Sequence, residues 1–513
     1  MPKATAVWTN ARFAGAALLV GAALCACGGR GAGGANALPA DVAGSVARPA
    51  ATAVPSPEII TVDVAHGAPA VSEDLIGASL ATWSDITQPY VAQTFAAIGL
   101  HAVRWPGGSE SDAYHWANGG TICDGQGYVY PPSTFDNFMK DDAIPAKLDV
   151  SITLDYGSNA ACNAGGDPTE AAAWVGYAKS KAYAVRRWTV GNEVYGSWEY
   201  DLHAVPHDPA TYAAAVATGY YPKIKAADPT AQVGVVVAGS SFPAWDPIVL
   251  KKAKYDFVEF HYYAQAPGAE NDRSLIGPGI NTFANTLRSL RAEMTSLGVS
   301  PSIPIYVGEL NTVYTNPGKQ TVSIVNGLFA GMAVAEMMRQ SGVDAATWWI
   351  GYGGCDTSGN DSGSVYGWQN FGTYTLFSDG GGECGSNIPA GTAFPDARAY
   401  ALLSQFAPAG STMRNVSGTN LRDVRAYADT SAGRYALLLF NTDDSAPSRT
   451  FVVQITGATK SSFAAAQTTY GKAQYDESKT GVWAAPVKQS LGTVKTTFDV
   501  VLPAWSMSLV TLQ

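Results

Sequence analysis

The 513-residue sequence is poor in charge: only 14% of its residues are Asp, Glu, Lys or Arg, where a typical globular domain carries about 25%. Basic residues are the scarcer kind, with 32 Lys and Arg against 42 Asp and Glu, a formal charge of −10. That excludes the basic surface expected of a nucleic-acid binder. Beyond residue 24 no apolar run is long enough to span a bilayer. The chain also lacks Cys-x-x-Cys pairs, His-rich spacing, a Gly-x-Ser-x-Gly elbow and a His-Glu-x-x-His helix, so the common metal and serine-nucleophile signatures are missing. Its Gly-rich stretches, 28–34 and 351–354, do not link a strand to a helix with the spacing of a phosphate cradle. What is abundant is apolar and aromatic material: 47% hydrophobic residues, with 25 Tyr, 17 Phe and 13 Trp. This composition excludes disorder over most of the length and suits a neutral ligand that stacks on rings.

Residues 1–27 read as an export signal: Lys3 and Arg12 precede an apolar run from Phe13 to Leu24 that is too short for a stable membrane anchor. The run ends in Leu24-Cys25-Ala26-Cys27, which resembles a bacterial lipobox. Cys27 is therefore expected to be the lipidated first mature residue, placing the protein in the periplasm, outer membrane or cell surface as a lipoprotein. Residues 28–56 are dominated by Gly, Ala and Pro and read as a flexible tether. The four remaining cysteines, an even count in an exported chain, suggest two disulfides with three pairings open; Cys123 with Cys162 and Cys355 with Cys384 is preferred, because these are sequence neighbours in Gly-rich loops.

From residue 75 onward, short β-branched or aromatic runs alternate with Ala-rich helical stretches, the pattern of βα units around a parallel sheet. Eight strands are predicted, at 75–81, 101–105, 149–155, 187–193, 232–238, 256–263, 303–311 and 345–350. Helices are predicted at 169–184, 209–227, 282–297 and 322–341. Eight repeats predict a (β/α)8 TIM barrel over 75–398, whose chemistry sits at the C-terminal ends of the strands. Over 399–513 helical periodicity gives way to alternating short runs, predicting a C-terminal β-sandwich. Residues 57–74 contain a strand-like segment expected to pair into that sandwich.

The fourth predicted strand ends in Gly191-Asn192-Glu193 and the seventh in Gly308-Glu309-Leu310-Asn311. Two carboxylates thereby reach one open face of the barrel from opposite sides. Hydrolysing a glycosidic bond with retention needs one carboxyl to protonate the leaving oxygen and a second, about 5–5.5 Å away, to attack the anomeric carbon. Asn192 is placed to bond a neighbouring sugar hydroxyl. On the sixth strand His261 and Tyr263 share a face by alternation. Trp348 and Trp349 end the eighth.

Asn-Glu after strand four with Glu after strand seven is similar to the retaining glycoside hydrolases of clan A. Arg104-Trp105-Pro106-Gly107-Gly108 followed by Tyr114-His115-Trp116, and Gly191-Asn192-Glu193 followed by Gly196-Ser197-Trp198, resemble the α-L-arabinofuranosidases of glycoside hydrolase family 51 over roughly residues 58–513. The resemblance implies that Glu193 is the acid/base, Glu309 the nucleophile and Asn192 a contact to the sugar. It further implies that Arg104 holds the nucleophile ionised, that Tyr263 rather than Tyr262 bonds it, that Trp349 in preference to Trp348 is an aromatic sugar platform, and that carbohydrate is the partner. No cofactor and no metal are expected. Ser109 stands where the family has Asn, and Gly77-Ala78-Ser79 where its first strand has a glutamate. Both differences fall on the sugar pocket, so β-xylosidase, β-glucuronidase and exopolysaccharide-hydrolase specificities stay open beside arabinofuranosidase. A noncatalytic carbohydrate-binding lipoprotein is the rival from another class. His66, His115, His203 and His207 read as packing or surface residues, and Asp356, Asp361 and Asp379 as a solvated loop more readily than a calcium site.

Overall fold

The computed structural model describes residues 57–381, 388–419 and 421–513. The export signal, Cys27, the tether and Cys384 lie outside the described residues. Eight parallel strands close into a barrel: Gly77–Ser79, Ala102–Trp105, Asp149–Leu154, Val185–Val190, Gln232–Val237, Phe257–Tyr263, Ile305–Asn311 and Val343–Trp348. Each lies within or against one of the predicted segments, and they are numbered one to eight here in that order. Every neighbouring pair runs parallel, and strand eight closes on strand one through Trp348 and Ala78. The runs read as near-continuous apolar stretches because helices cover their outer faces while side chains fill the interior.

Three strands depart from their predicted bounds by two residues or more for a clear local reason. Strand one loses its start to a 3-10 turn at Glu73–Leu75. Strand eight stops at Trp348, before the turn that carries Trp349. Strand four stops at Val190, because Gly191 at φ 80° and Glu193 at φ 43° turn the chain out of the ladder. Asn192 and Glu193 therefore sit on a turn above the barrel rim rather than in the strand. The helix predicted over 209–227 is interrupted by a π-turn at Val216–Tyr220.

Helix Ile324–Met338 is buried along its entire length. Its sequence is apolar on every side, the signature of a helix enclosed by other elements. It packs on helix Pro395–Phe406, which runs across the boundary expected after residue 398; no linker composition separates the two domains there. Beyond it lies the sandwich. A Cβ on Gly331 would come within 2.7 Å of the Phe440 ring, and Tyr427 donates to Glu336 Oε1 at 2.8 Å. The barrel and the C-terminal domain thus share one apolar seam.

The C-terminal domain is a nine-stranded sheet in a single hydrogen-bonded order. Strand Ile59–Ala70 joins it, antiparallel to Thr412–Thr419 and parallel to Ser448–Thr456. The sheet folds over itself into a sandwich: Gln467 Nε2 donates to the Val501 carbonyl of edge strand Thr497–Pro503 at 3.0 Å. Ile60, Leu437, Phe451, Val453, Val500 and Val510 fill the space between the layers, and the strict alternation of Phe498, Val500 and Leu502 inward is the strand period of two. Cys123 and Cys162 form a disulfide. Among the described residues no helix is long and apolar enough to cross a membrane.

Candidate active site

Arg104, on strand two, is the hub beneath the barrel mouth, and its side chain is fully buried. Nη1 donates to Glu309 Oε1 at 2.9 Å, Nη2 to Asn192 Oδ1 at 2.6 Å, and Nε lies 3.0 Å from Glu259 Oε1. Burial disfavours its charge, but Glu259 and Glu309 more than offset that and raise its pKa. Arginine suits the place because its rigid fork serves three partners at once without deprotonating.

Glu309 rises from strand seven opposite His261, with Asn311 opposite Tyr263. Its Oε2 accepts a hydrogen bond from the Tyr263 hydroxyl. Burial, then the nearby Glu309 charge, pushes the Tyr263 phenol well up, so it acts as a neutral donor. Tyr262 points the other way and packs on Phe283. Gly308 precedes Glu309 because a Cβ there would collide with the Glu259 carboxylate.

On the opposite side, Glu193 Oε1 lies 2.8 Å from His261 Nδ1, and Oε2 accepts from Trp198 Nε1 at 3.1 Å. One carboxylate oxygen of Glu193, one of Glu309 and a ring nitrogen of His261 all lie within 4.8 Å of one another. Burial favours the neutral form of Glu193, yet the hydrogen bond and charge of His261 outweigh it and lower its pKa. His261 itself is pushed up to about 9: burial opposes its charge, and Glu309, Glu193 and Glu259 support it. Both directions favour the ion pair of carboxylate and imidazolium across the 2.8 Å contact. The donor atoms of this cluster already face protein partners: Arg104 donates to Glu309, Trp198 donates to Glu193, and the second ring nitrogen of His261 faces Glu259.

Asn192 is locked in one orientation. Its Oδ1 faces Arg104, its Nδ2 donates to Glu199 Oε1 at 3.0 Å, and its backbone N–H donates to Asp112 Oδ2 at 2.9 Å. The second Nδ2 hydrogen has no protein acceptor among the described residues. Ser109 Oγ also donates to Glu199 Oε1, at 3.0 Å. Burial pushes the Glu199 and Asp112 carboxyls well above their usual range.

Trp349 lies against the Gly107-Gly108 turn and meets Trp83 edge-on with ring centroids 5.9 Å apart. Tyr263 and Tyr374 pack with it. Trp348 instead belongs to the core, against Phe329 and Tyr400. All seven residues singled out from the sequence, Arg104, Asn192, Glu193, His261, Tyr263, Glu309 and Trp349, gather around this mouth. Glu259 and Glu199 were missed. Alternation along Glu259, His261 and Tyr263 puts the first of these on the same face, so a signal for it existed; Glu199, on a loop, had none.

Among the other histidines, His115 contacts Glu170 at 3.2 Å and His203 stacks on Tyr156. Although His115 approaches Cys123 and Cys162, the disulfide removes the thiolates a metal would need. Among the described residues Asp356, Asp361 and Asp379 form no common ligand group.

No protein-family model and no curated protein matches the chain. Solved structures do. The family 51 α-L-arabinofuranosidase from Thermotoga petrophila RKU-1 superposes with a TM-score of 0.64 at 16% identity, covering 89% of this chain and 100% of that one. The chain has the fold of the family 51 arabinofuranosidases. The family 51 arabinofuranosidase from Xanthomonas axonopodis pv. citri gives a TM-score of 0.65 at 18% identity, again over 89% and 100% of the two chains. The family 44 endoglucanase from Clostridium thermocellum gives 0.60 at 12%, with the same coverage. At these identities the likeness establishes the barrel-plus-sandwich architecture. What is done with it is a question for the side chains.

Proposed function

We propose that the protein is a retaining O-glycosyl hydrolase with an α-L-arabinofuranosidase-like substrate, exported and anchored through a lipid on Cys27. The observation that carries the reading is the approach of Glu193 and Glu309, with carboxylate oxygens within 4.8 Å across one mouth. Retention calls for carboxyl groups about 5–5.5 Å apart, whereas inversion needs about 6.5–9.5 Å to admit a water between them. In the first step Glu309 attacks the anomeric carbon while Glu193 protonates the departing oxygen. In the second, Glu193 takes a proton from water, whose oxygen displaces Glu309. Arg104 and Tyr263 hold the nucleophile ionised and aimed, and Asn192 presents its free amide hydrogen to the sugar hydroxyl beside the reacting carbon.

A neutral sugar suits the site better than a uronic acid. Arg104 and His261 are both committed to protein carboxylates, and Glu110, pushed up to about 7 chiefly by burial, adds acid near Glu309. The test is a panel of nitrophenyl arabinofuranoside, xyloside, glucoside and glucuronide. Hydrolysis with retained anomeric configuration, lost in Glu193→Gln and Glu309→Gln and restored to Glu309→Ala by azide, is the expected result. Wild-type rates in both Gln variants would overturn it, and tight sugar binding with no turnover across the panel would favour a noncatalytic sugar-binding protein.

A further inference from the structure

The proton that Glu193 delivers has to be stored within its contact with His261, where Oε1 and Nδ1 lie 2.8 Å apart. We propose that His261 is that proton store, and that Glu259, sealed beneath the site, is the positioning residue that keeps His261 an imidazolium. The proposal rests on the glycosidase reading and deepens it.

The geometry is specific. His261 Nδ1 lies 2.8 Å from Glu193 Oε1 and Nε2 lies 3.1 Å from Glu259 Oε1, with the side chain 4% exposed. A neutral imidazole carries one N–H and one lone pair, so it would set a lone pair against one of these carboxylates. With both carboxylates ionised, only the doubly protonated ring donates to each, and Trp198, which donates to the other oxygen of Glu193, favours that ionised form. Glu259 does not take the proton itself, because Arg104 Nε stands 3.0 Å from it and the Thr189 hydroxyl donates to its other oxygen. Its carboxyl is lowered by Arg104 and His261 against the opposing effect of burial.

The groups facing His261 come from every side. Glu193 reaches it from the turn after strand four and Glu309 from strand seven at 3.7 Å. Glu259 and Tyr263 flank it on its own strand, Arg104 and Tyr306 lie behind Glu259, and Tyr195 and Glu199 lie beyond Glu193. Three carboxylates thus face two cations. When Glu309 bonds to the anomeric carbon it loses its negative charge, and His261 loses an anionic neighbour at the moment a proton is demanded. The proton passes from His261 Nδ1 to Glu193, and from Glu193 to the leaving oxygen, which keeps the electron pair of the broken bond. In the second step water gives its hydroxyl to the sugar and its proton to Glu193 and on to His261, while Glu309 departs as carboxylate.

Long-range proton–nitrogen NMR on protein labelled with 15N-histidine reads this without turnover, with His261→Asn assigning the signals among the six histidines. Wild-type His261 is expected to carry both protons at pH 7.5, and in Glu259→Gln its titration midpoint should fall by about one pH unit or more. In kinetics, the wild-type alkaline limb of kcat/KM for an alkyl glycoside, a poor leaving group, should coincide with that midpoint. Glu259→Gln should lose roughly tenfold more on the alkyl glycoside than on a dinitrophenyl glycoside, which departs without a proton, and Glu259→Asp should recover part of the loss. A neutral His261 at pH 7.5 in the wild type overturns the inference whatever becomes of the variants. Active wild type with equal losses on both leaving groups overturns it and leaves the glycosidase reading standing; wild type inactive on every glycoside overturns that reading itself.

Discussion

Arg104 and Glu309, 205 positions apart in the chain, meet in a buried ion pair of 2.9 Å in which the same guanidinium also holds Asn192 and Glu259. A single cation thereby orients the Glu309 carboxylate, the Asn192 amide and the carboxylate beneath His261. Arg104→Lys keeps the charge and loses the fork. The expected result is a fall in kcat/KM of about 100-fold or more, the scale of losing a preorganised electrostatic contact, in a protein that still folds. Arg104→Ala leaves buried carboxylates without their partner, a loss of about 3–5 kcal/mol by urea unfolding. Wild-type kinetics in Arg104→Lys would show that the bidentate geometry does not matter.

Gly108 stands at φ 69°, and a Cβ there would lie 2.6 Å from the edge of the Trp349 ring. Gly108→Ala therefore puts a side chain at φ 69°, ψ −173°, a backbone region essentially reserved for glycine, at a cost of about 1–3 kcal/mol, and drives the indole off its seat. Stability measured by thermal unfolding should drop, and KM should rise more than kcat falls if Trp349 is the platform on which the sugar rests. A variant that is destabilised yet keeps its KM would assign Trp349 to packing alone.

Asp142 is fully buried, and neither carboxyl oxygen has a hydrogen-bond partner among the described residues. Burial, followed by the charges of Asp141 and Asp85, pushes it up to about 9 from its ordinary 3.8. Because the folded protein binds this proton more tightly than the unfolded chain, the stabilisation is complete below about pH 4 and is lost as pH rises through about 9. Asp246, raised to about 7, and Asp429, raised to about 6, act in the same direction. The melting temperature should accordingly decline from pH 5 to pH 9, and Asp142→Asn should flatten the decline between pH 7 and 9. Parallel curves for the two proteins would contradict this account.

The alternation of βα units was legible in the sequence because helical and strand periods are local: each depends on which face of a short segment is apolar, and all eight strands appear at or near their predicted places. The pairing of His261 with Tyr263 on one face came from the same period, and stepping two residues back along it reaches Glu259. The strand-four ending was misjudged because Gly191 continues the apolar run in composition while turning the backbone at φ 80°. Choosing between Trp348 and Trp349 lay beyond any local rule, since adjacent residues differ here only in which side of a turn they face.

By itself the sequence determined the barrel, the sandwich and the few residue types capable of acid–base chemistry. Only the tertiary structure decided that Glu193 meets His261, that Glu199 clamps Asn192, and that Arg104 and His261 lie among three carboxylates. The reason is physical. Secondary structure follows from the periodicity of neighbours, whereas proton affinity follows from burial and from charges that barrel closure brings in from strands far apart along the chain.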